Sequence, residues 1–227
     1  MCTVSYIPTS NGFYLTSNRD ERPDRETLQI QHIELSNGNK ISAPIDVEKK
    51  GTWIASDHKG KVVCLLNGGF EKHKRKLPYR KSRGHFVLEA FEYDSFSEFI
   101  NQTDLNNIEP FTIILVDNFL QVLVWDGKKK HRLMHDKNVP QLWSSSTLYT
   151  RDEHIKKHHF FMNSININKP DSKSILEMHG LHTNTPFILN LPQVRTVSIT
   201  QFVMNPKKIE LMYHLKGKKD EQKTVLY

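Results

Sequence analysis

Along most of this chain the hydrophobic side chains come in short runs of strand length. Residues 3–7 and 13–16 form a first pair around Pro8-Thr9-Ser10-Asn11-Gly12, where the Asn-Gly step predicts a hairpin turn with positive φ. Arg22-Pro23-Asp24-Arg25 interrupts the pattern. Residues 28–35 alternate apolar and polar side chains and end at a second turn, Asn37-Gly38. Residues 51–56 and 61–66 give another pair around Asp57-His58-Lys59-Gly60. Two more pairs follow, 111–116 with 120–125 around Asp117-Asn118, and 194–203 with 207–215 around Asn205-Pro206. Between them lie segments that read as helices: 85–93, 95–101, 150 to about 162, and 172–179. Ser95 with Glu98 and Thr150 with Glu153 have capping-box spacing. The order is strands, helices, strands, helices, strands. Hairpin connections imply antiparallel sheets rather than parallel crossovers, so the pattern predicts an α+β protein with helices over the outer faces of two sheets. Without an internal repeat or a linker, residues 1–227 are expected to form a single domain.

Composition narrows the class. At 227 residues, 37% hydrophobic and 25% charged, the chain can bury its own core without disulfides or metal. No apolar run approaches the ~20 residues of a bilayer span. The first eight positions lack a basic residue, and Asn18-Arg19-Asp20-Glu21 comes too soon for a cleavable apolar stretch, so a cytoplasmic protein is expected. Of the two cysteines, Cys64 lies within Val62-Val63-Cys64-Leu65-Leu66 and reads as a buried, inert thiol. The net charge of +7 is concentrated in residues 72–83 and the tail 216–223. No zinc-finger spacing or RNA-recognition signature accompanies it, so specific nucleic-acid binding is not expected. His154 and His158 have i, i+4 spacing but no HExxH context. They read as part of a solvent-facing helix with Lys156 and Lys157, and neither a metal site nor a cofactor is expected.

The chemistry is expected near the N-terminus. Met1 is of the kind removed before a small residue, which would leave Cys2 with a free α-amine beside its thiol. An α-amine has a pKa of about 7.7–8.0, so one residue would supply nucleophile and base. Ser17-Asn18-Arg19-Asp20-Glu21 places strong polar groups at the end of an apolar strand, where burial demands partners. Beside Cys2, Arg19 would lower the thiol pKa and Asp20 would hold the α-amine.

Met1-Cys2-Thr3 followed by Asn18-Arg19-Asp20-Glu21 and Arg22-Pro23 resembles the NRDE family, also called the transport and Golgi organisation protein 2 family. Weaker matches follow at Gly51-Thr52-Trp53-Ile54, Leu65-Leu66-Asn67, Ser82-Arg83-Gly84, residues 111–127 and Val194-Arg195-Thr196. That family is similar to N-terminal nucleophile hydrolases with a terminal cysteine, such as penicillin V acylases and bile salt hydrolases. The resemblance implies a four-layer αββα sandwich. It implies Cys2 as nucleophile beside Arg19 and Asp20, Asn67 as oxyanion donor and Arg195 as a further basic group. Asn18, Arg83 and Ser145 would contact substrate. Many relatives have Leu-Ser-Asn before the late helix where this chain has Trp143-Ser144-Ser145-Ser146, so Ser145 would replace that asparagine. The basic loop 72–83 follows Asn67 and is expected to act as a lid that favours an anionic small molecule. The alternative implied by the resemblance is a non-catalytic protein that binds or traffics haem or lipid.

Overall fold

The computed structural model describes residues 3–167, 170–217 and 221–225. The first sheet contains β1 (Thr3–Thr9), β2 (Gly12–Glu21), β10 (Gln141–Ser144), β11 (Arg195–Asn205), β12 (Lys208–Leu215) and β13 (Glu221–Val225), in the order β10-β1-β2-β11-β12-β13. The second runs in sequence order through β3 (Thr27–Glu34), β4 (Lys40–Asp46), β5 (Ile54–Asp57), β6 (Val62–Asn67), β7 (Phe111–Val116), β8 (Leu120–Trp125) and β9 (Lys130–His135). All the pairings are antiparallel.

The helices are α1 (His85–Glu89), continued by a 3₁₀ turn at Ala90–Glu92, α2 (Phe96–Gln102), α3 (Arg151–Ile167) and α4 (Ser172–Met178). Three apolar clusters define the layers. Val4, Leu15 and Phe202 of the first sheet meet Val62, Cys64, Leu66 and Ile114 of the second in the central core. Phe86, Phe91 and Phe99 pack on the far side of the second sheet, against Val63, Leu65 and Ile113. Phe161 and Ile175 cover the far side of the first, against Ile7 and Leu142. The period-two alternation of strand side chains thus produces helix, sheet, sheet, helix. In β6 it sends Val62, Cys64 and Leu66 to one side and Val63 and Leu65 to the other. Burial pushes the Cys64 thiol up to about 12, so it stays protonated and unreactive.

Three local features differ from the sequence reading. The first hairpin turns at Ser10-Asn11, since Thr9 pairs with Gly12. Gly12 is required for a close approach rather than for its φ, because a Cβ there would stand 1.9 Å from the Met204 carbonyl oxygen. Helix α3 runs to Ile167, beyond the expected end near 162. Lys157 on that helix is 2% exposed, not solvent-facing: it shares the sheet-facing side of α3 with Phe161, one turn further on.

Candidate active site at the ends of β1 and β2

Thr3 pairs with Asn18 of β2 on one side and with Ser144 of β10 on the other. Met1 and the expected nucleophile Cys2 lie outside the described residues. Alternation sorts the polar residues around Thr3 onto two faces. Thr3, Ser5, Asn18 and Asp20 point to the helical layer, where Ser5 Oγ lies 2.7 Å from His179 Nε2 and Thr3 Oγ1 accepts from Lys157 Nζ at 2.7 Å. Arg19 points to the second sheet, where its guanidinium lies 4.4 Å from the Trp53 ring centroid.

Arg19 is buried and closely held. Its Nη2 donates to Asp46 Oδ2 at 2.6 Å and its Nη1 to Thr27 Oγ1 at 2.7 Å. Burial lowers its pKa more than the charges of Asp46 and Glu21 raise it, yet an arginine remains cationic. For the Asp46 carboxyl, burial acts upward. Hydrogen bonds from Arg25 and the Lys49 N–H, with the charges of Arg25 and Arg19, outweigh it and bring the pKa below the ordinary value. Arg25 Nε meets the same carboxylate at 2.7 Å, so two guanidinium groups share one acid.

Arg19, Asn67 and Arg83 line one small cavity of about 90 Å³ between the sheets. Trp53 also lines it, and among the described residues its buried indole N–H has no hydrogen-bond partner. Arg19 and Arg25 also border a larger cleft of about 1020 Å³, which the exposed Arg195 lines as well. The structure thus gathers Arg19, Asn67 and Arg83, with Arg195 one cavity away.

Asp20 and Asn18 face the other way. Asp20 accepts from Tyr149 OH at 2.7 Å and from Thr196 Oγ1 at 2.5 Å. Asn18 Nδ2 donates to the carbonyls of His179 and Phe187, and its Oδ1 lies 2.5 Å from His179 Nδ1. These contacts tie β2 to α4 and the segment after it. Ser145 donates through Oγ to the Asn67 carbonyl at 2.6 Å, bracing the backbone of Asn67. It opens on a third cavity of about 740 Å³ that Leu66, Trp143 and Tyr149 also line.

The basic loop is tied down along its length. His73, Arg75 and Arg83 converge on Glu109 at 3.3, 3.1 and 3.4 Å, Arg80 pairs with Asp104 at 3.1 Å, and Lys81 pairs with Glu89. His154 is half-buried with Nδ1 2.6 Å from Ser144 Oγ, whereas His158 is exposed. Among the described residues no group of three or more His, Cys, Asp or Glu side chains is arranged to hold a metal, and no helix is long and apolar enough to cross a membrane.

Sequence reasoning missed Asp46, Tyr149, Lys157 and Thr196. Thr196 had the only local signal, its place in Val194-Arg195-Thr196. The others are brought in by sheet pairing and helix docking across long stretches of chain.

Two antiparallel sheets between helical layers, with the polar cluster at the ends of β1 and β2, define an N-terminal nucleophile hydrolase-like fold. A Caenorhabditis elegans N-acylethanolamine-hydrolyzing acid amidase ortholog is similar at a TM-score of 0.63 and 15% identity, over 89% of this chain and 92% of that one. A mutant of the conjugated bile acid hydrolase from Clostridium perfringens is similar at 0.59 and 10% identity, over 100% and 92%. A second variant of that hydrolase gives 0.60 and 10%, over 99% and 92%. No curated protein matches the sequence significantly. The chain belongs to the Transport and Golgi organisation 2 family, whose model matches residues 1–191, in agreement with the resemblance carried by Asn18-Arg19-Asp20-Glu21.

Proposed function

We propose that this chain is a cysteine N-terminal nucleophile hydrolase that cleaves or transfers the acyl group of a small anionic amide or related compound. The observation that carries the reading is the rigid guanidinium of Arg19, which shares a cavity with Asn67 and Arg83 at the end of the strand that pairs with Thr3. Cys2 directly precedes Thr3 in the chain. In this reading Met1 is removed and Cys2 works from the face that Arg19 occupies.

The Cys2 thiol passes its proton to the α-amine and the sulfur attacks the substrate carbonyl carbon. Asn67 Nδ2 donates to the oxyanion, with the Trp53 indole N–H as a further donor within the cavity. Collapse breaks the bond to the leaving amine, which takes the proton back from the α-ammonium. Water, deprotonated by the same amine, then splits the thioester and restores the thiol. Arg25, Arg83 and Arg195 around the two clefts favour a negatively charged substrate. The chemistry belongs to a single cytoplasmic domain over residues 1–227, with no specific nucleic-acid partner.

Intact mass of protein from its native host, before and after treatment with a thiol-selective acylating probe, tests this. The expected result is a chain without Met1 that takes one adduct, absent in Cys2→Ala. Retained Met1 would leave the α-nitrogen within a peptide bond and overturn the mechanism. A haem titration with an unshifted Soret band is expected alongside it.

A further inference from the structure

The segment from β10 to α3 carries a second pair of groups suited to nucleophilic chemistry, away from the cavity of Arg19. Ser144 pairs across the sheet with Thr3, so its side chain shares the face of Thr3, toward the helices. There its Oγ lies 2.6 Å from Nδ1 of His154 on α3. A hydroxyl within hydrogen-bond reach of an imidazole is the elementary unit of a nucleophile with its base. Ser5 and His179 make a similar contact at 2.7 Å, but both are sealed in the interior. Ser144 and His154 are only half-buried, and both line the cavity of about 740 Å³, a size typical of small-molecule sites. Because β10 is an edge strand, this cavity reaches around it. Leu66, Val122 and Val124 of the central core form its apolar wall.

Of the three consecutive serines, Ser145 and Ser146 donate to the carbonyls of Asn67 and Glu71, whereas Ser144 meets an imidazole. Burial, then the charges of His158 and Lys157, hold His154 below the ordinary histidine value. The ring is therefore neutral at pH 7 and able to take a proton. Arg151 stands three residues before His154, on the same side of α3, and lines the cavity as well. Its guanidinium is a permanent cation available to a developing oxyanion.

We propose that Ser144 and His154 form a second hydrolytic site, separate from the Cys2 chemistry, for esters with a small apolar acyl group. His154 Nδ1 takes the Ser144 proton as Oγ bonds to the carbonyl carbon. The bond to the leaving oxygen breaks, and the imidazolium returns the proton to the departing alcohol. Water, deprotonated by His154, then adds to the acyl-serine, releases the carboxylic acid and restores the Ser144 hydroxyl.

The test measures p-nitrophenyl butyrate hydrolysis and labelling by diisopropyl fluorophosphate in a Cys2→Ala background. Intact mass counts the adducts and peptide mapping locates them. One adduct on Ser144 is expected, with ester hydrolysis retained. Ser144→Ala should abolish both. His154→Gln should slow both by about a hundredfold or more, while His158→Gln, exposed on the same helix, should leave them in place. If Ser144→Ala fails to fold by thermal melt, the mapped adduct and its slowing in His154→Gln still decide. No adduct on Ser144, or equally fast labelling in His154→Gln, would overturn the inference. Ester hydrolysis that disappears with Cys2→Ala would belong to the site proposed above and overturn this one.

Discussion

Arg19 and Asp20 are neighbours in the chain yet serve opposite faces of β2: Arg19 is bonded to Asp46 at 2.6 Å on the side of the second sheet, and Asp20 to Tyr149 at 2.7 Å on the side of the helices. The motif therefore supplies two sets of contacts. Its odd-numbered arginine shapes the cavity shared with Asn67, while its even-numbered asparagine and aspartate bind the strand to α4 and β11.

Substituting Arg19 should cost stability as well as any activity. Arg19→Met removes one of the two guanidinium groups on Asp46, and breaking a buried ion pair by deleting one partner typically costs about 3–5 kcal/mol. Because Arg25 still meets Asp46 at 2.7 Å, the loss is expected near or below the lower end of that range. Double substitution of Arg19 and Asp46 by Met and Asn should recover part of it. Urea denaturation of the single and double variants measures the coupling, and strict additivity would show that the pair is not a unit.

Acid should weaken the fold in two windows. His179 is fully buried between Ser5 and Asn18, and its pKa falls to about 3 through burial and the charge of Lys157. The unfolded chain binds a proton there below about pH 6.5 and the folded one does not. The unfolded state thus holds more protons, and stability drops as pH falls, by up to ~1.4 kcal/mol per unit from this group. Asp46 is also depressed. Its contribution is present above the unfolded carboxylate value and is lost only as pH falls below about 3.9. His179→Gln should lower stability at pH 7 but flatten the slope between pH 4 and 6, leaving the steeper loss below 4. An unchanged slope in that variant would assign it to other groups.

The pairs that form the centre of both sheets were legible because central strands are buried on both sides and carry continuous apolar runs such as Phe-Thr-Ile-Ile-Leu-Val in β7. Strand β9, Lys-His-Arg-Leu-Met-His, gave no such signal. It is an edge strand with mostly exposed side chains, held by backbone pairing to β8. Strand β10 has four residues and sits at the other sheet's edge. Of the candidate site, Arg19 and Asp20 were visible as a motif, and the period of two already implied that they diverge. The burial of Lys157 was not visible, because Lys-Lys-His-His around it reads as a polar helix surface and only docking onto Thr3 distinguishes one lysine from its neighbour.

A single methyl group should disrupt the first hairpin. At Gly12 a Cβ would meet the Met204 carbonyl oxygen at 1.9 Å and the adjoining carbonyl carbon at 2.8 Å. Both are backbone atoms of β11, which pairs with β2 at this point, so neither can rotate away. Gly12→Ala should therefore cost at least the ~1–3 kcal/mol typical of overpacking. Gly38→Ala makes no new contact within 4 Å and costs only the strain of its φ of +80°, about 1 kcal/mol. Thermal melts of the two variants should rank them in that order, and the reverse ranking would mean that β2 and β11 separate easily at this end.

The loop between β6 and α1 offers a separate test of whether a lid must open. Glu109 accepts a hydrogen bond from His73 Nε2 and ion pairs from Arg75 and Arg83 while itself only about 10% exposed in its side chain. Replacing it by Gln leaves the cations of Arg75 and Arg83 without their counter-charge and frees the first half of the loop. Global stability should fall modestly, because Arg75 is exposed and exposed pairs are worth about 0–1 kcal/mol, whereas Arg83 keeps its hydrogen bond to the Pro110 carbonyl at 3.1 Å. Local opening should rise more than global unfolding. Limited trypsin digestion is therefore expected to cut Glu109→Gln between residues 72 and 81 faster than the parent, with little change in the melting temperature. Equal cleavage rates would show that Arg80 with Asp104, together with Lys81 and Glu89, is enough to hold the loop closed.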